Sequence, residues 1–265
     1  MNILDTIIAH KKIEIDETKE MQSIKSLESS AYFTAPKISL KKSILQNNKS
    51  GIIAEFKRKS PSKGIINDTS LVTEVTQGYY NAGASALSIL TDSKFFGGSN
   101  KDVLTAREGN SLPILRKDFT IDEYQIIEAK AIGANAILLI AAVLTKAEIK
   151  QFTTLAHSIG LEVLLEIHTI KELDKYIPEI SVVGINNRNL KTFEVDFENA
   201  IRLADSLPKE TIKIAESGIQ DYKNIHYLKS HGFNGFLIGE NFMKTKNPGL
   251  ECINFITKIK TTQHA

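Results

Sequence analysis

Short apolar runs recur along this chain. Most of these runs are followed by polar residues and then by an amphipathic stretch. Runs of this length suit buried strands, and the stretches between them have helical periodicity. This alternation predicts βα units that build one parallel sheet. We count eight runs, at residues 52–56, 86–90, 113–115, 136–140, 162–165, 182–185, 212–215 and 235–238.

Eight runs fit a closed sheet, so the predicted fold class is α/β, a (β/α)8 TIM barrel with an N-terminal helical extension. Helices are predicted at residues 71–82, 121–132, 146–159, 197–207 and 222–228, and a glycine follows four of them, as expected near a helix carboxyl end. The structural alternative is an open doubly wound sheet. No Gly-x-Gly-x-x-Gly follows the first run to favour it.

Composition narrows the class of protein. With 265 residues, 42% of them apolar, the chain can bury one large core, and we expect a single domain over residues 1–265. The net charge of +2 gives no reason to expect nucleic acid or a membrane as partner. Cys252 is the only cysteine, which excludes an intramolecular disulfide and suits a reducing compartment. The longest apolar run, residues 136–144, is far below the roughly 20 residues that span a bilayer. We expect a cytoplasmic protein.

The first 50 residues precede the first βα unit. Ile3, Leu4, Ile7 and Ile8 recur at helical spacing, with charged residues on the other face. A second helical patch covers residues 40–45. We expect residues 1–50 to form a helical extension that covers the mouth of the barrel.

Ionisable and amide side chains collect where the runs end. Alternate residues of a strand face the same side, so Glu55 and Lys57 share one face. The carboxyl ends of barrel strands form a single face, which is where TIM-barrel enzymes place their chemistry. The sequence predicts a site at this face, from Glu55 and Lys57, Arg116 to Asp118, Glu166, Asn186 to Arg188, Glu216 to Gly218, and Gly239 to Asn241.

These strand ends resemble, in order, the signatures of the indole-3-glycerol phosphate synthase family. The resemblance rests on I-A-E-F-K-R-K-S-P-S from residue 53, L-R-K-D-F from 115 with Tyr124-Gln125 after it, L-E-I-H from 165, G-I-N-N-R-N-L from 184, A-E-S-G from 215 and L-I-G-E from 237. It extends from the N-terminal helix to the last run. It implies a monofunctional carbon–carbon lyase (carboxy-lyase) of L-tryptophan biosynthesis, without a fused isomerase domain.

The implied reaction closes an indole ring on 1-(2-carboxyphenylamino)-1-deoxyribulose 5-phosphate, with release of carbon dioxide and water. Such a reaction needs an acid for the developing alkoxide, a base, and two anion-binding sites. By motif position Lys117 is the acid, and Glu166 is the base or the group that assists dehydration. Lys57 would neutralise the substrate carboxylate or help to anchor the phosphate. The remaining implied catalytic residues are Glu55, Asn186 and Glu216.

The acid role of Lys117 sets a condition on its environment. A lysine donates a proton most readily near neutral pH when its pKa is lowered. Burial and the cations Lys57 and Arg116 are the available means, whereas nearby glutamates oppose them.

Substrate binding has its own pattern. Gly218 and Gly239 each follow a run, where glycine lets backbone N–H groups approach an anion. This matches the barrel phosphate site after strands seven and eight. Glu240 replaces a small hydroxyl residue found in many relatives, so we expect its side chain to turn away and only its N–H to contribute. The implied binding residues are Ser60, Phe96, Phe119, Arg188, Ser217, Gly218, Leu237, Gly239 and Glu240, with the two phenylalanines as an apolar wall for the anthranilate ring.

Simpler roles compete with several of these assignments. Glu55 and Glu216 could serve only as ion-pair partners of the lysines. Lys59, Lys63 and Lys94 are interpreted as solvated rim charges. The sequence shows no partner spacing for His157, His168, His226 and His231, which are interpreted as structural or exposed.

Two alternative functions stay open from the sequence. One is another sugar-phosphate barrel such as phosphoribosylanthranilate isomerase, whose pattern calls for a cysteine where this chain has Glu55 and Lys57. The other is a catalytically silent phosphate-binding barrel, whose mark would be loss of Lys117 or Glu166. We expect a monomer with a small sugar-phosphate substrate, no cofactor and no metal. Association with other tryptophan-pathway enzymes is an alternative to a free monomer.

Overall fold

The chain folds as a parallel barrel, in a computed structural model that describes residues 2–188 and 194–261. Within these residues the barrel strands are β1 (Ile52–Phe56), β2 (Ala86–Leu90), β3 (Ile114–Lys117), β4 (Ala136–Ile140), β5 (Glu162–Ile167), β6 (Val182–Asn186), β7 (Ile212–Glu216) and β8 (Gly235–Ile238). Each strand pairs with its sequence neighbours, and β1 pairs with β8 to close the ring. The predicted TIM-barrel fold is confirmed.

Four strands continue beyond the apolar runs that predicted them. β3, β5, β6 and β7 end at Lys117, Ile167, Asn186 and Glu216 because the backbone ladder persists into the polar residues. Lys117 pairs with Leu90 of β2, and Glu216 pairs with Asn186. Several polar side chains at the rim are therefore held by rigid strands.

Side chains alternate along each strand between the barrel interior and the surrounding helices. In β1, Ile53 belongs to the interior cluster, whereas Ile52, Ala54 and Phe56 belong to the larger cluster that packs against the helices. The same alternation turns Glu55 inward. The interior cluster also includes Leu115, Leu138, Leu164, Val182, Ile214 and Leu237.

Helices lie at each of the positions that the periodicity predicts, and five further ones are additional to them. They are α1 (Ile3–Met21), α2 (Ile24–Glu28), α3 (Leu40–Leu45), α4 (Val72–Ala82), α5 (Ser93–Phe96), α6 (Asn100–Glu108), α7 (Glu123–Ala131), α8 (Lys146–Ser158), α9 (Phe197–Asp205), α10 (Tyr222–Ser230), α11 (Glu240–Met243) and α12 (Pro248–Thr261), with a 3₁₀ helix at Ile170–Lys175. The additional helices are α2, α5, α6, α11 and α12. None of the described helices is long and apolar enough to cross a membrane.

Helices α4 and α12 close the outer ring through a pair of glycines. A Cβ atom on Gly78 would lie 2.7 Å from the Cα of Gly249, which no real side chain tolerates. The two backbones can therefore touch only because both positions lack a side chain. This contact seats the last helix against the helix that follows β1.

The N-terminal segment reaches both ends of the barrel. Near the mouth, Lys19 of α1 pairs with Asp122, which caps α7, at 2.7 Å. Helix α3 lies at the opposite end, where Leu40 and Ile44 join the interior cluster and the Ser39 hydroxyl donates to Glu162 at the start of β5. The sequence interpretation placed all of residues 1–50 over the mouth, whereas the apolar side chains of α3 are buried at the amino ends of the strands.

Candidate active site

A cavity of about 1230 Å³ opens at the carboxyl ends of the strands. Every residue that the sequence analysis proposed for catalysis or binding lines it, as do Asn2 to Asp5 and Ile7 at the start of the chain. The strand alternation explains this convergence, because the inward face of each strand ends at the same rim. Asn189 and Leu190, which belong to the fourth motif of the resemblance, lie outside the described residues.

Glu55 and Lys57 form an ion pair at the end of β1. The Lys57 Nζ donates to Glu55 Oε1 at 2.7 Å, and the Ser88 hydroxyl donates to Glu55 Oε2 at 3.2 Å. Glu55 is buried, while Lys57 keeps partial access to the cavity. The pairing that a purely structural role requires is therefore present, and it also aims the lysine into the cavity.

Lys117 stands between two carboxylates. Its Nζ lies 2.9 Å from Glu166 Oε2 and 3.7 Å from Glu216 Oε2. Burial alone would lower the pKa of Lys117, but the charges of Glu166, Glu216 and Glu55 outweigh it and raise the pKa above its ordinary value. The expected lowering does not occur, because the opposing glutamates dominate the local field.

Arg116 takes no part in that balance, since the strand alternation turns it away from the cavity. Its guanidinium lies among the helices, where it contacts Glu128 at 2.6 Å, Asp118 at 3.3 Å and the carbonyl of Gln125 at 2.8 Å. The sequence interpretation counted Arg116 as a cation that lowers the pKa of Lys117. The structure corrects it, because consecutive strand residues point to opposite faces.

Glu166 is held from three sides. Lys117 contacts Oε2, whereas Asn186 donates to Oε1 at 3.4 Å and His168 Nε2 lies 3.1 Å from Oε1. Burial by itself would raise the pKa of Glu166, but Lys117 and His168 outweigh it and keep the pKa well below its usual range. Glu166 is thus ionised and oriented before any ligand binds.

The pKa of Glu216 is shifted in the opposite direction from that of Glu166. Burial raises the pKa of Glu216 to about 8, and the neighbouring charge of Glu166 adds to this effect. Its Oε1 atom has no hydrogen-bond partner among the described residues. A Cβ on Gly184 would lie 2.0 Å from that atom, so only glycine leaves space for this carboxyl group. Two glutamates of one site therefore have pKa values displaced in opposite directions, a pattern common in acid–base catalysis.

His168 is a site residue that the sequence analysis missed. It was interpreted as structural or exposed, yet it is buried, lines the cavity and contacts Glu166. Strand alternation carried one step past Glu166 would have placed it on the same inward face. Its second partner, Glu172, comes from the 3₁₀ helix, whose approach no local pattern indicates.

The loop after β7 has an unusual backbone. Ser217 has φ of 68° and is the only non-glycine residue with positive φ in the described part of the chain; Gly218 follows at 74°. Such conformations are strained for most residues and tend to occur at functional sites. The segment turns sharply beside Gly239, which precedes α11, so the first N–H groups of that helix have no partner within it.

Arg188 and Glu240 connect side chains from different loops at the rim of the cavity. Arg188 donates to Ser62 Oγ at 3.2 Å and to Glu240 Oε2 at 3.4 Å, and Lys63 Nζ lies 3.8 Å from Glu240 Oε1. The carboxylate of Glu240 is thus turned toward two cations rather than left free. Lys63 is exposed, as predicted for a rim charge, but it has this partner.

An apolar wall faces the charged groups. The rings of Phe96 and Phe119 have centroids 5.9 Å apart at an angle of 40°. Leu237, Leu138 and Ile140 add aliphatic surface to the same cavity. The arrangement suits a ligand with one aromatic part and several anionic or hydroxyl groups.

Helix α1 reaches the edge of the site through a buried lysine. Lys11 Nζ lies 2.9 Å from Asp118 Oδ1, 3.1 Å from Asp92 Oδ2 and 2.8 Å from Glu14 Oε1. Asp118 directly follows Lys117, so this cluster connects the N-terminal helix to the strand that carries the lysine. Across the residues that the structure covers, no His, Cys, Asp and Glu side chains form a group that could hold a metal.

Comparisons with known proteins agree on one family. The family model for indole-3-glycerol phosphate synthase matches residues 4–254. The chain is 50% identical to the indole-3-glycerol phosphate synthase of Bacteroides thetaiotaomicron, over 98% of this chain and 99% of that one. It is 38% identical to the protein of that name from Bordetella pertussis, over 96% and 99%.

Solved structures support the fold. A chain of the tryptophan synthase complex from Pyrococcus furiosus superposes with a TM-score of 0.60 at 15% identity, covering 81% of this chain and 99% of that one. Thiamine phosphate pyrophosphorylase from Pyrococcus furiosus gives 0.59 at 12% identity, covering 81% and 97%. At such low identity these two likenesses concern the barrel alone.

Proposed function

This chain belongs to the indole-3-glycerol phosphate synthase family, and from that premise we propose how its own residues close the indole ring. The substrate is 1-(2-carboxyphenylamino)-1-deoxyribulose 5-phosphate, and the products are indole-3-glycerol phosphate, carbon dioxide and water. We assign the protein to the carbon–carbon lyases, as a carboxy-lyase. The observation that carries the assignment of roles is Lys117 held between Glu166 and Glu216 in one cavity with an aromatic wall.

Binding places the reacting groups before chemistry begins. The phosphate would lie at Gly218 and Gly239, where strand ends and the start of α11 present backbone N–H groups. The anthranilate ring would pack against Phe96 and Phe119. Lys57, aimed into the cavity by Glu55, would neutralise the substrate carboxylate. Holding both ends of the substrate brings the ring carbon close to the ketone, which removes much of the entropic barrier.

In the first step, the ring carbon that bears the carboxylate attacks the ketone carbon, and the carbonyl oxygen becomes an alkoxide. Lys117 donates its proton to that oxygen. A raised pKa does not prevent this transfer, because an alkoxide is a much stronger base than an amine. It also ensures that Lys117 carries its proton at neutral pH, before the alkoxide forms.

In the second step, the carbon–carbon bond to the carboxylate breaks, carbon dioxide leaves, and the electron pair restores the aromatic ring. In the third, the hydroxyl leaves as water and Glu166 removes a proton from the adjacent ring methylene, which completes the indole. Glu166 suits this role because it is ionised and fixed in place. The departing hydroxyl requires a further proton, for which Lys57 is the cation on the opposite side of the cavity.

We also propose a single domain over residues 1–265, with α1 over the mouth, and a cytoplasmic monomer. The contacts of Asn2 to Asp5 and Ile7 with the cavity support the position of α1. The family's place in amino-acid biosynthesis and the single buried cysteine suit the cytoplasm.

Indole formation tests this function directly. The purified protein is mixed with the carboxyphenylamino-deoxyribulose phosphate, and the growth of indole fluorescence is followed. We expect fluorescence with the unmodified protein and with Lys12→Met, which alters an exposed lysine next to the N-terminal cluster. Folded protein that gives no fluorescence but isomerises phosphoribosylanthranilate would support the rival barrel enzyme instead.

A further inference from the structure

His168 lines the same cavity and contacts a proposed catalytic group, yet it has no role among those assigned above. It lies two positions after Glu166, directly beyond the end of β5, and is 8% exposed. Its Nε2 lies 3.1 Å from Glu166 Oε1, and its Nδ1 lies 3.5 Å from Glu172 Oε2. Both ring nitrogens thus face carboxylates.

This placement favours the imidazolium form. A neutral imidazole carries one N–H, so its other nitrogen would point a lone pair at a carboxylate oxygen. The charged ring has a hydrogen on each nitrogen and meets both carboxylates favourably. Neither contact is a well-aligned hydrogen bond, so attraction between charges is the main term. Burial would lower the pKa of His168, but Glu166 and Glu172 outweigh it and raise the pKa to about 10.

The other groups packed around the pair do not replace this cation. Asn186 of β6 donates to Glu166 Oε1 but is neutral, and Glu216 of β7 is itself acidic. From α9, Asn199 donates to the backbone carbonyl of His168 at 3.4 Å. The backbone N–H of His168 donates to Glu172 at 2.7 Å and fixes the 3₁₀ helix beside the ring. Lys117 of β3 is the other cation that contacts Glu166.

We propose that His168 is a positioning residue, which keeps the Glu166 carboxylate ionised and in place while Lys117 gives up its proton. This rests on the proposed roles of Lys117 and Glu166. Once Lys117 has protonated the alkoxide, Glu166 has lost the positive charge on Oε2. Without a second cation the carboxylate would become more basic and free to turn. His168 holds Oε1 throughout, so Glu166 is ready for the dehydration step.

Two substitutions separate charge from shape. His168→Gln can still place an N–H near Glu166 Oε1 but carries no charge, and Glu172→Gln removes the carboxylate that helps to keep His168 protonated. We expect the acidic limb of kcat/KM against pH to move upward by about one unit in His168→Gln, and by less in Glu172→Gln. At pH 7, kcat should fall by roughly tenfold, with KM changed by less than about threefold. His157→Asn on the exposed side of α8 is the matched control.

A direct measurement needs no substitution. In the unmodified protein with ¹⁵N-labelled histidine, both ring nitrogens of His168 should keep imidazolium shifts from pH 6 to pH 9. An unmoved acidic limb in His168→Gln, or a neutral His168 at pH 7, would overturn the proposal. If the unmodified protein formed no indole, the proposed function would fail, yet the nitrogen shifts would still report the charge of His168. If indole forms while His168 is neutral, only the positioning role fails.

Discussion

At the scale of single residues, Lys117 must combine two properties that its surroundings set against each other. It must hold a proton until the alkoxide forms, and it must then release it. Glu166 and Glu216 secure the first property by raising its pKa. The second depends on the basicity of the alkoxide, which exists only during the reaction. The proton is therefore transferred only when the substrate is in place.

Replacing Lys117 with methionine tests this role. The variant keeps much of the apolar stem and loses the proton, so we expect kcat to fall by at least roughly 10²–10⁴-fold with little change in substrate affinity. Lys57→Met should differ, because loss of an anion-binding group raises KM as well as slowing the chemistry. Steady-state kinetics on folded protein separate the two. Near-normal turnover of Lys117→Met would leave Lys57 as the candidate acid.

The raised pKa of Glu216 makes the free energy of unfolding depend on pH. Its folded pKa of about 8 lies above the ordinary value of 4.5, so the unfolded chain releases this proton first as pH rises. The contribution of Glu216 to the free energy of unfolding therefore falls between these pH values and is constant above them. Glu216→Gln removes this penalty. Relative to the unmodified protein, the variant should gain on the order of 1 kcal/mol or more between pH 5 and pH 9, measured by urea unfolding.

Glu210→Gln provides the comparison for that experiment, since Glu210 is an exposed carboxylate on the loop before β7. It should show no such gain with pH. The Glu216 variant should also lose activity, because the carboxyl group contacts Lys117. A Glu216→Gln protein whose stability tracks that of the unmodified chain at every pH would show that Glu216 titrates normally.

Simple alternation predicted which residues face the cavity, and that part of the site needed no tertiary information. Glu55, Lys57 and Lys117 follow from counting by two along short strands. The directions in which the pKa values are shifted cannot be predicted from this alternation. They depend on distances between strands that are far apart in sequence, such as the 2.9 Å between Lys117 and Glu166. The error about Arg116 has a different origin, because the strand period already places it on the face opposite to Lys117.

At the scale of secondary-structure elements, α1 is attached to the barrel by charge as well as by apolar contact. Ile7 and Ile15 are buried, and Lys11 between them enters a cluster of acidic groups at the ends of β2 and β3. Helices in proteins gain most of their stability from tertiary packing, so these contacts hold α1 in place. The start of α1 lines the cavity, which couples the seating of the helix to the site.

Lys11→Met tests that coupling. The change removes the cation that Asp92 and Asp118 share and leaves Asp118 with Arg116 alone. Removing one partner of a buried ion pair typically costs ~3–5 kcal/mol. We expect a lower free energy of unfolding and, because Asp118 follows Lys117, a lower kcat. Thermal unfolding and steady-state kinetics measure the two effects. Lys12→Met, the exposed neighbour, should change stability by less than about 0.5 kcal/mol.

Helix prediction succeeded for most of the longer amphipathic stretches and missed α6 and α12. The prediction at residues 146–159 closely matches α8, whose Thr145 and Glu148 form a reciprocal cap. In α6 the buried apolar residues are only Val103 and Ala106, too few to show a period. α12 begins at Pro248, and Cys252, Phe255, Ile256 and Ile259 recur on its buried face at helical spacing, a signal that the sequence analysis did not use. Its contact with α4 could not be predicted from local sequence.

At the scale of the whole molecule, the barrel separates stability from chemistry. The half of the barrel interior at the amino ends of the strands is filled by apolar side chains, and Leu40 and Ile44 of α3 close it. The half of the interior at the carboxyl ends of the strands holds ionisable groups, and burying a charge there without its partner would be costly. The fold could be predicted from the number and spacing of the runs. Which end α3 closes could not, because the polar segment before it leaves its path open.

Phosphate recognition belongs to this scale, since it combines the ends of two neighbouring strands. We predict that inorganic phosphate binds near the backbone of Gly218 and Gly239 and raises the melting temperature by mass action. Arg107, a half-buried cation away from the cavity, already donates to the carbonyls of Gly133, Asn110 and Leu112. A titration of melting temperature against phosphate concentration gives the affinity.

Gly218→Ala should abolish this rise. A Cβ there would lie 2.4 Å from Val195 Cγ1, and the φ of 74° is strained for alanine, so the loop must move. Gly83→Ala is the matched control, because Gly83 has a φ of 85° and open space for a Cβ. Both variants should lose stability from backbone strain, by about 1 kcal/mol for Gly83→Ala, but only Gly83→Ala should keep the full phosphate-dependent rise. An equal rise in both, or phosphate bound beside Arg107 in a liganded structure, would place the anion elsewhere.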